Sequence, residues 1–222
     1  DATANRRTKP GVYVTWVVVA FFLVVMAMAT LKKALPLCSA LLGIALFVNG
    51  GYMQAKAWLA QALIESAWQQ ALQSPNQQVR PWFYADGYVT AHINWPSQQQ
   101  ELTVLAGASG RNLAFAPGHF LPSGELGSSK GVLIAGHNDT HFAFLKHVAV
   151  GEQFSMQLQS GQIEHYQVRS IDVIHQSEQG FLAQSGLYLL TCYPFDSLAS
   201  GTEFRLLVSA DKLSLSTSTF SS

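Results

Sequence analysis

The apolar pattern divides this chain into four stretches with different periods. Residues 12–31, VYVTWVVVAFFLVVMAMATL, form an uncharged run of 20 residues that ends at Lys32 and Lys33. At the rise of an α-helix this run covers about 30 Å, the thickness of a bilayer's hydrocarbon core. A second uncharged stretch, Ala34 to Ala55, has its apolar core from Leu35 to Val48 and is followed by Asn49, Gly50 and Gly51. Pro36 falls in its first turn, where proline is tolerated. The pattern predicts a hairpin of two membrane-spanning helices. Alternatives remain for each run: a cleaved signal peptide for the first, a buried helix for the second. The first is long for a signal h-region, and no clean small-residue cleavage site precedes Lys32. Basic residues flank both ends of the first run (Arg6, Arg7 and Lys9, then Lys32 and Lys33), so charge does not decide orientation.

Residues 52–73, YMQAKAWLAQALIESAWQQALQ, lack Gly and Pro and repeat near the helical period, with Trp58, Leu59, Ala62, Leu63, Ala67 and Leu72 as the predicted apolar positions. SPNQQVRP (74–81) reads as a linker broken by Pro75 and Pro81. Beyond it the pattern becomes short strands between turn clusters: Tyr88–Asn94, Leu102–Ala106, Leu113–Ala116, Gly131–Ala135, Gln153–Leu158, Ile163–Ile174, Leu187–Thr191 and Glu203–Ala210. Such spacing predicts a mainly β fold, a small barrel or sandwich. The Ser/Thr-rich end has little to bury and is expected to be disordered. The resulting organisation is a membrane anchor (1–51), a helix and linker (52–81), a β domain (82–210) and a tail (211–222).

Composition narrows the function. The 222 residues carry 13 basic and 13 acidic side chains, a balance that argues against a nucleic-acid partner. Charged residues make up 12%, roughly half the usual share, and the deficit is concentrated in the apolar N-terminal quarter. No second thiol lies in the β domain and no acidic cluster has the form of a calcium loop, so neither a metal nor another cofactor is expected.

The chemistry centres on Cys192 in LYLLTCYPF (187–195), the one cysteine outside the apolar region that holds Cys38. Two cysteines so placed are poor disulfide partners. A thiol at the end of an apolar strand, with histidines and an arginine elsewhere in the domain, suggests a nucleophile with an activating partner. His137 lies in LIAGHNDTHFAFL (133–145), and Arg205 lies in EFRLLV (203–208).

These three segments together resemble the sortases, cysteine transpeptidases that cleave a sorting signal and join the new carboxyl end to an amine. LYLLTCYPF is similar to the family's TLxTC strand. The order His137, Cys192, Arg205 matches, with separations of 55 and 13 residues. AKAWLAQALIESAW, PWFYADGYVTAHI, LAFAPGH, GHNDTHFAFL and TCYPFDSL resemble the Gram-negative (GN-class) subgroup in particular. The likeness spans residues 43–210. It implies an eight-stranded β-barrel with short helices behind N-terminal transmembrane helices, in the inner membrane with the barrel facing the periplasm. It implies a protein substrate with a C-terminal, LPxTG-like sorting signal, an amine acceptor, and a thioester on Cys192. His137 would be the acid and then the base, and Arg205 the donor to the oxyanion. Two other readings use the same residues: a cysteine endopeptidase that resolves the thioester with water, and a non-catalytic, membrane-tethered binding module.

Four further residues are expected near a substrate groove: Thr191, Tyr193, His119 and His141. His147 and His165 read as surface residues. Asp139 and Thr140 suit the N-cap of a short helix after His137, and Asp139 could instead orient a histidine. Two positions depart from the family wording: Asn138 stands where the GN-type His-Arg-Asp-Thr-His stretch has arginine, and Tyr188 stands where TLxTC begins with threonine.

Overall fold

The computed structural model describes residues 10–75, 77–195 and 201–213. The flanking Arg6, Arg7 and Lys9, the DSL of TCYPFDSL and the end of the tail from residue 214 lie outside the described residues. Two units are distinguished, Asp1–Lys56 and Ala57–Ser222.

In place of the expected helical hairpin, a single helix, α1, runs from Pro10 to Gln73. It continues through Pro36 and through the Asn49-Gly50-Gly51 step. Each glycine costs a helix about 1 kcal/mol relative to alanine, too little to stop a segment otherwise built from Ala, Leu and Ile. The Ser39 hydroxyl donates to the Pro36 carbonyl at 2.9 Å. Among the described residues α1 is the one helix long and apolar enough to cross a membrane, from Cys38 onward. Leu42, Leu46 and Phe47 are exposed along it.

From Ala57 onward, α1 buries Ala60, Ile64, Ala67, Trp68 and Ala71. These positions recur at three and four residues, the spacing of one helical face. The expected face is displaced: Trp58 is 74% exposed and Leu59 52%. Alanine and leucine occur all round this helix, so the pattern permits more than one face. Packing of Ile64 and Trp68 against Val89, Leu105 and Ala116 selects the one used.

Eight strands form a closed barrel: β1 (Val89–Trp95), β2 (Gln100–Ala106), β3 (Gly118–His119), β4 (Gly131–Ala135), β5 (Gln153–Leu158), β6 (Ile163–His175), β7 (Gly186–Tyr193) and β8 (Phe204–Lys212). Their spatial order is β1-β2-β3-β4-β7-β8-β6-β5, closed by the β5–β1 pair. The expected eight-stranded barrel is therefore present. In this closed order every strand has a neighbour on both sides. One strand lies elsewhere than the pattern indicated. In the expected strand Leu113–Ala116, Leu113 ends a short helix, α2 (Gly110–Leu113), capped by the Ser109 hydroxyl, which accepts from Asn112 N–H at 3.3 Å, and the next three residues form a turn. The third strand is the two-residue β3 that follows. Strand β8 also runs two residues past the expected boundary, and Lys212 reaches Glu164 at 2.5 Å.

Side chains alternate across each strand. Ile93, Val104, Ile134, Leu189, Val208 and Met156 fill the interior, with Trp95 stacked on Phe154 at 4.2 Å between ring centres. A separate apolar cluster lies on the outer face of β4, β7 and β8, built on Leu133, Tyr188 and Leu207 and partly covered by Ile174, Phe181 and Leu190. This outer cluster forms the ground on which the candidate site stands.

Candidate active site

Register brings the three sequence-predicted groups to one level. Strands β4 and β7 run parallel, with Ala135 opposite Leu190. Beyond the end of β4 the pairing continues: Gly136 N–H donates to the Leu190 carbonyl at 3.1 Å, and the Thr191 hydroxyl donates to the Gly136 carbonyl at 2.7 Å. The same register carried one step further sets the His137 backbone level with Cys192. On the other side of β7, the antiparallel β8 pairs Cys192 directly with Arg205. Neighbouring strands lie about 4.8 Å apart, so Arg205 flanks Cys192 on β8, and the turn after β4 that carries His137 lies on the other side of β7. Leu189 and Thr191 point inward, whereas Tyr188 and Leu190 join the outer cluster, so Cys192 shares the outer face with them. Arg205 shares that face with Leu207 by the same alternation.

Gly136 is required by its surroundings. A Cβ at this position would meet the ring of Phe142 at 2.7 Å. Phe142 is fully buried, and its N–H donates back to the His137 carbonyl at 2.9 Å. The turn after β4 is thus wrapped on a buried ring, and His137 leaves it toward solvent. Asn138 has a structural part here: its side-chain amide donates to the Pro194 carbonyl at 3.3 Å, tying the His137 turn to the segment after Cys192. The helix expected to start on Asp139 or Thr140 begins later, as a 3-10 turn over Ala143–His147, and no side chain caps it.

Arg205 is half-buried, and its guanidinium is held by neutral acceptors. It donates to the carbonyls of Thr202 and Phe204 (2.7 Å to the latter) and to Gln176 Oε1 at 3.0 Å. Gln176 follows β6 and carries no sequence signal of its own. The register between β6 and β8 alone brings it to Arg205.

The remaining candidates disperse. Thr191 is 2% exposed and braces Gly136 from inside the barrel, so it is not a groove residue. Tyr193 likewise packs against the interior core, near Phe195. His119 is buried on β3 and bonded through Nε2 to the Gly124 carbonyl at 2.9 Å. Burial lowers its pKa below the ordinary histidine value, against smaller opposing effects of the Gly124 bond and Glu125. It lines a cleft of about 460 Å³ with Tyr88, Glu125 and Gln159, apart from Cys192. His141 stays close to His137: its pKa is lowered by burial and by the His137 charge, with Asp139 opposing. It also lines a second cleft that sequence reasoning did not anticipate. His147 and His165 are exposed.

A thiol paired across the strands with a guanidinium, one strand away from a turn that bears an imidazole, brings near one another the groups that acyl transfer through sulfur uses. The particular family follows from comparison. The family model for the Sortase domain matches residues 93–213, more than half of the chain, and the chain belongs to the sortase family. Its members are cysteine transpeptidases of sorting signals. Solved structures agree on the fold. Sortase A from Corynebacterium diphtheriae is 24% identical with a TM-score of 0.53, over 72% of this chain and 86% of its own. A sortase D5 transpeptidase from Clostridium perfringens is 16% identical with a TM-score of 0.56, over 70% and 99%. A sortase C from the same organism, determined with the C-terminal cell wall sorting motif, is 20% identical with a TM-score of 0.53, over 72% and 91%. No curated protein sequence matches this chain.

Proposed function

We propose that this chain is a membrane-anchored sortase of the Gram-negative type, with its barrel on the periplasmic side of the inner membrane. It cleaves an LPxTG-like sorting signal of a protein substrate and transfers the acyl group to an amine. The observation that supports the reading is the pairing of Cys192 with Arg205 on β7 and β8, with the turn that carries His137 leaving the adjacent β4 at the same level. The apolar ground beside Cys192, made by Leu133, Leu190 and Ile174, suits the aliphatic part of such a signal. The sorting motif present in the Clostridium perfringens sortase C structure supports a substrate of the same kind. α1 supplies the anchor, and the GN-type segments of the sequence support the subgroup.

The chemistry runs in two halves. The Cys192 sulfur attacks the carbonyl carbon of the scissile bond, and Arg205 stabilises the developing oxyanion. As the intermediate collapses, the C–N bond breaks and His137 gives its proton to the departing amine. A thioester remains on Cys192. An incoming amine then attacks the thioester carbon, the C–S bond breaks, and the thiol is restored.

The test is mass analysis of the full chain in detergent micelles, incubated with an LPxTG-type peptide with and without an added amine. A thioester adduct on Cys192 that passes to the amine supports the proposal. An adduct released only by water would assign a peptidase instead. No adduct, with Cys192 also inert to a small alkylating agent, would remove catalysis altogether.

A further inference from the structure

Arg205 is bound on the side of β8 away from the thiol. The barrel order β7-β8-β6 gives β8 Cys192 on one flank and the end of β6 on the other. Cys192 and Arg205 are direct cross-strand partners. Such partners share a face, with Cβ atoms about 4.5–5.5 Å apart. A long, flexible arginine at that distance, left unheld, would close on a thiolate as an ion pair and leave no room for a carbonyl between them. The three acceptors that hold Arg205 all lie off β7. They are the Thr202 carbonyl ahead of β8, the Phe204 carbonyl at its start, and Gln176 Oε1 beyond β6, 3.0 Å from Nη2.

The turn that carries Gln176 is itself fixed. Gln176 N–H donates to the Glu203 carbonyl at 2.7 Å, extending the β6–β8 ladder one step beyond the His175–Phe204 pair. The rings of His175 and Phe204 meet edge to face, with centres 6.1 Å apart. The Ser177 hydroxyl lies 2.7 Å from His175 Nδ1, and Glu178 N–H donates to the His175 carbonyl at 2.9 Å. Both backbone carbonyls bond to Nη1 of Arg205, which leaves the guanidinium free to turn about that corner; the Gln176 bond to Nη2 fixes the second corner. A guanidinium has five N–H donors, so these three bonds leave two. Among the described residues its acceptors are neutral, and the group keeps its charge.

We propose that Gln176 is a positioning residue for acyl transfer: it holds the Arg205 guanidinium clear of Cys192, so that a substrate carbonyl fits between sulfur and guanidinium and meets two free N–H donors. This role rests on the transpeptidase reading above. Gln176 acts through Arg205 and needs no contact with the substrate. A donor fixed before the reaction stabilises an oxyanion without reorganising as charge develops. An amide suits the task better than a carboxylate, because it accepts a hydrogen bond without neutralising the charge that the oxyanion needs.

Two measurements on the full chain in detergent, with Gln176→Leu and Gln176→Glu, decide it; Gln176 is exposed, so neither change opens the core. The first divides the rate of Cys192 alkylation by iodoacetate by the rate with iodoacetamide, read by peptide mass because Cys38 is a second thiol. The ratio cancels the reactivity of the thiol and senses the positive charge beside it. Leucine should raise it about twofold to fivefold, the effect of a unit charge moving to within a few ångströms of the sulfur in water. Glutamate keeps an acceptor and should leave the ratio at or below wild type. The second is single-turnover acylation by an LPxTG-type peptide. Leucine should lower the saturating rate about tenfold and leave the half-saturating peptide concentration within twofold. General loosening of the turn would slow both alkylations alike and leave the ratio unchanged. An unchanged or lowered ratio in the leucine variant overturns the proposal, as does a raised ratio with wild-type acylation. Wild-type Cys192 inert to both reagents and to the peptide would instead remove the transpeptidase reading, so the two failures are told apart.

Discussion

Thr191→Val tests whether the brace between β7 and the β4 exit sets the geometry at Cys192. The Thr191 hydroxyl is buried and donates to the Gly136 carbonyl at 2.7 Å, one residue before each of His137 and Cys192. Valine keeps the shape and the strand preference and removes only the donor, leaving a buried carbonyl without this partner. An unsatisfied buried acceptor costs about 1–3 kcal/mol. For a unit of this size each kcal/mol lowers the melting temperature by about 2–4 °C. The brace also holds two strand ends in register, so its loss should slow thioester formation by at least about tenfold, within the range known for an ångström of misplacement. Thr191→Ser keeps the hydroxyl and should recover most of the rate. The assay pairs calorimetry with single-turnover acylation of the full chain by an LPxTG-type peptide. A valine variant with wild-type melting and wild-type acylation would refute the reasoning, because the hydrogen bond would then hold neither stability nor alignment.

Four other outcomes are expected. Cys192→Ala should abolish the adduct while leaving the circular dichroism and melting of the protein unchanged, since the residue is a half-buried position on the outer face; mass analysis with a sorting peptide checks it. Gly136→Ala should destabilise the protein by about 1–3 kcal/mol through its clash with Phe142, and should lower acylation more than melting predicts, because the displaced turn carries His137. Arg205→Lys should cost about 100-fold in acylation, since an ammonium cannot match a guanidinium fork held by Gln176 and two carbonyls while facing an oxyanion, and a rate within twofold of wild type would count against the donor role. His119 has its folded-state pKa lowered by burial, so its unfolded form binds protons more readily; its contribution to stability is fully present above the unfolded value of about 6.5 and is lost as pH falls through that value toward the folded one. His119→Gln should therefore flatten the melting temperature's fall between neutral and mildly acidic pH, and an unchanged pH profile would contradict it.

Several features were legible in the chain before any coordinates. LYLLT is a short continuous apolar run, the mark of a strand buried on both faces, and HYQV carries apolar residues two apart at Tyr166 and Val168; both segments are strands. The motifs around His137, Cys192 and Arg205 carry their resemblance locally, in side chains within a few residues of each group. Where local signals conflict or are short, the chain alone was ambiguous. LAFA alternates like a strand, but Ser109 caps a helix just before it, and a two-residue strand such as β3 has no pattern to display. Alanine all round α1 leaves its buried face open until Val89 and Leu105 pack against it.

What only the tertiary structure decided is adjacency. Parallel pairing of β4 with β7 and antiparallel pairing of β7 with β8 bring together residues 55 and 13 positions apart, and nothing within either segment encodes that pairing. The same pairings turn Thr191 inward as a brace and bring Gln176 to Arg205. The physical reason is range. Periodicity, caps and motifs report interactions between residues a few positions apart, whereas a site is made by strand register and barrel closure, which are settled by the burial of many side chains at once.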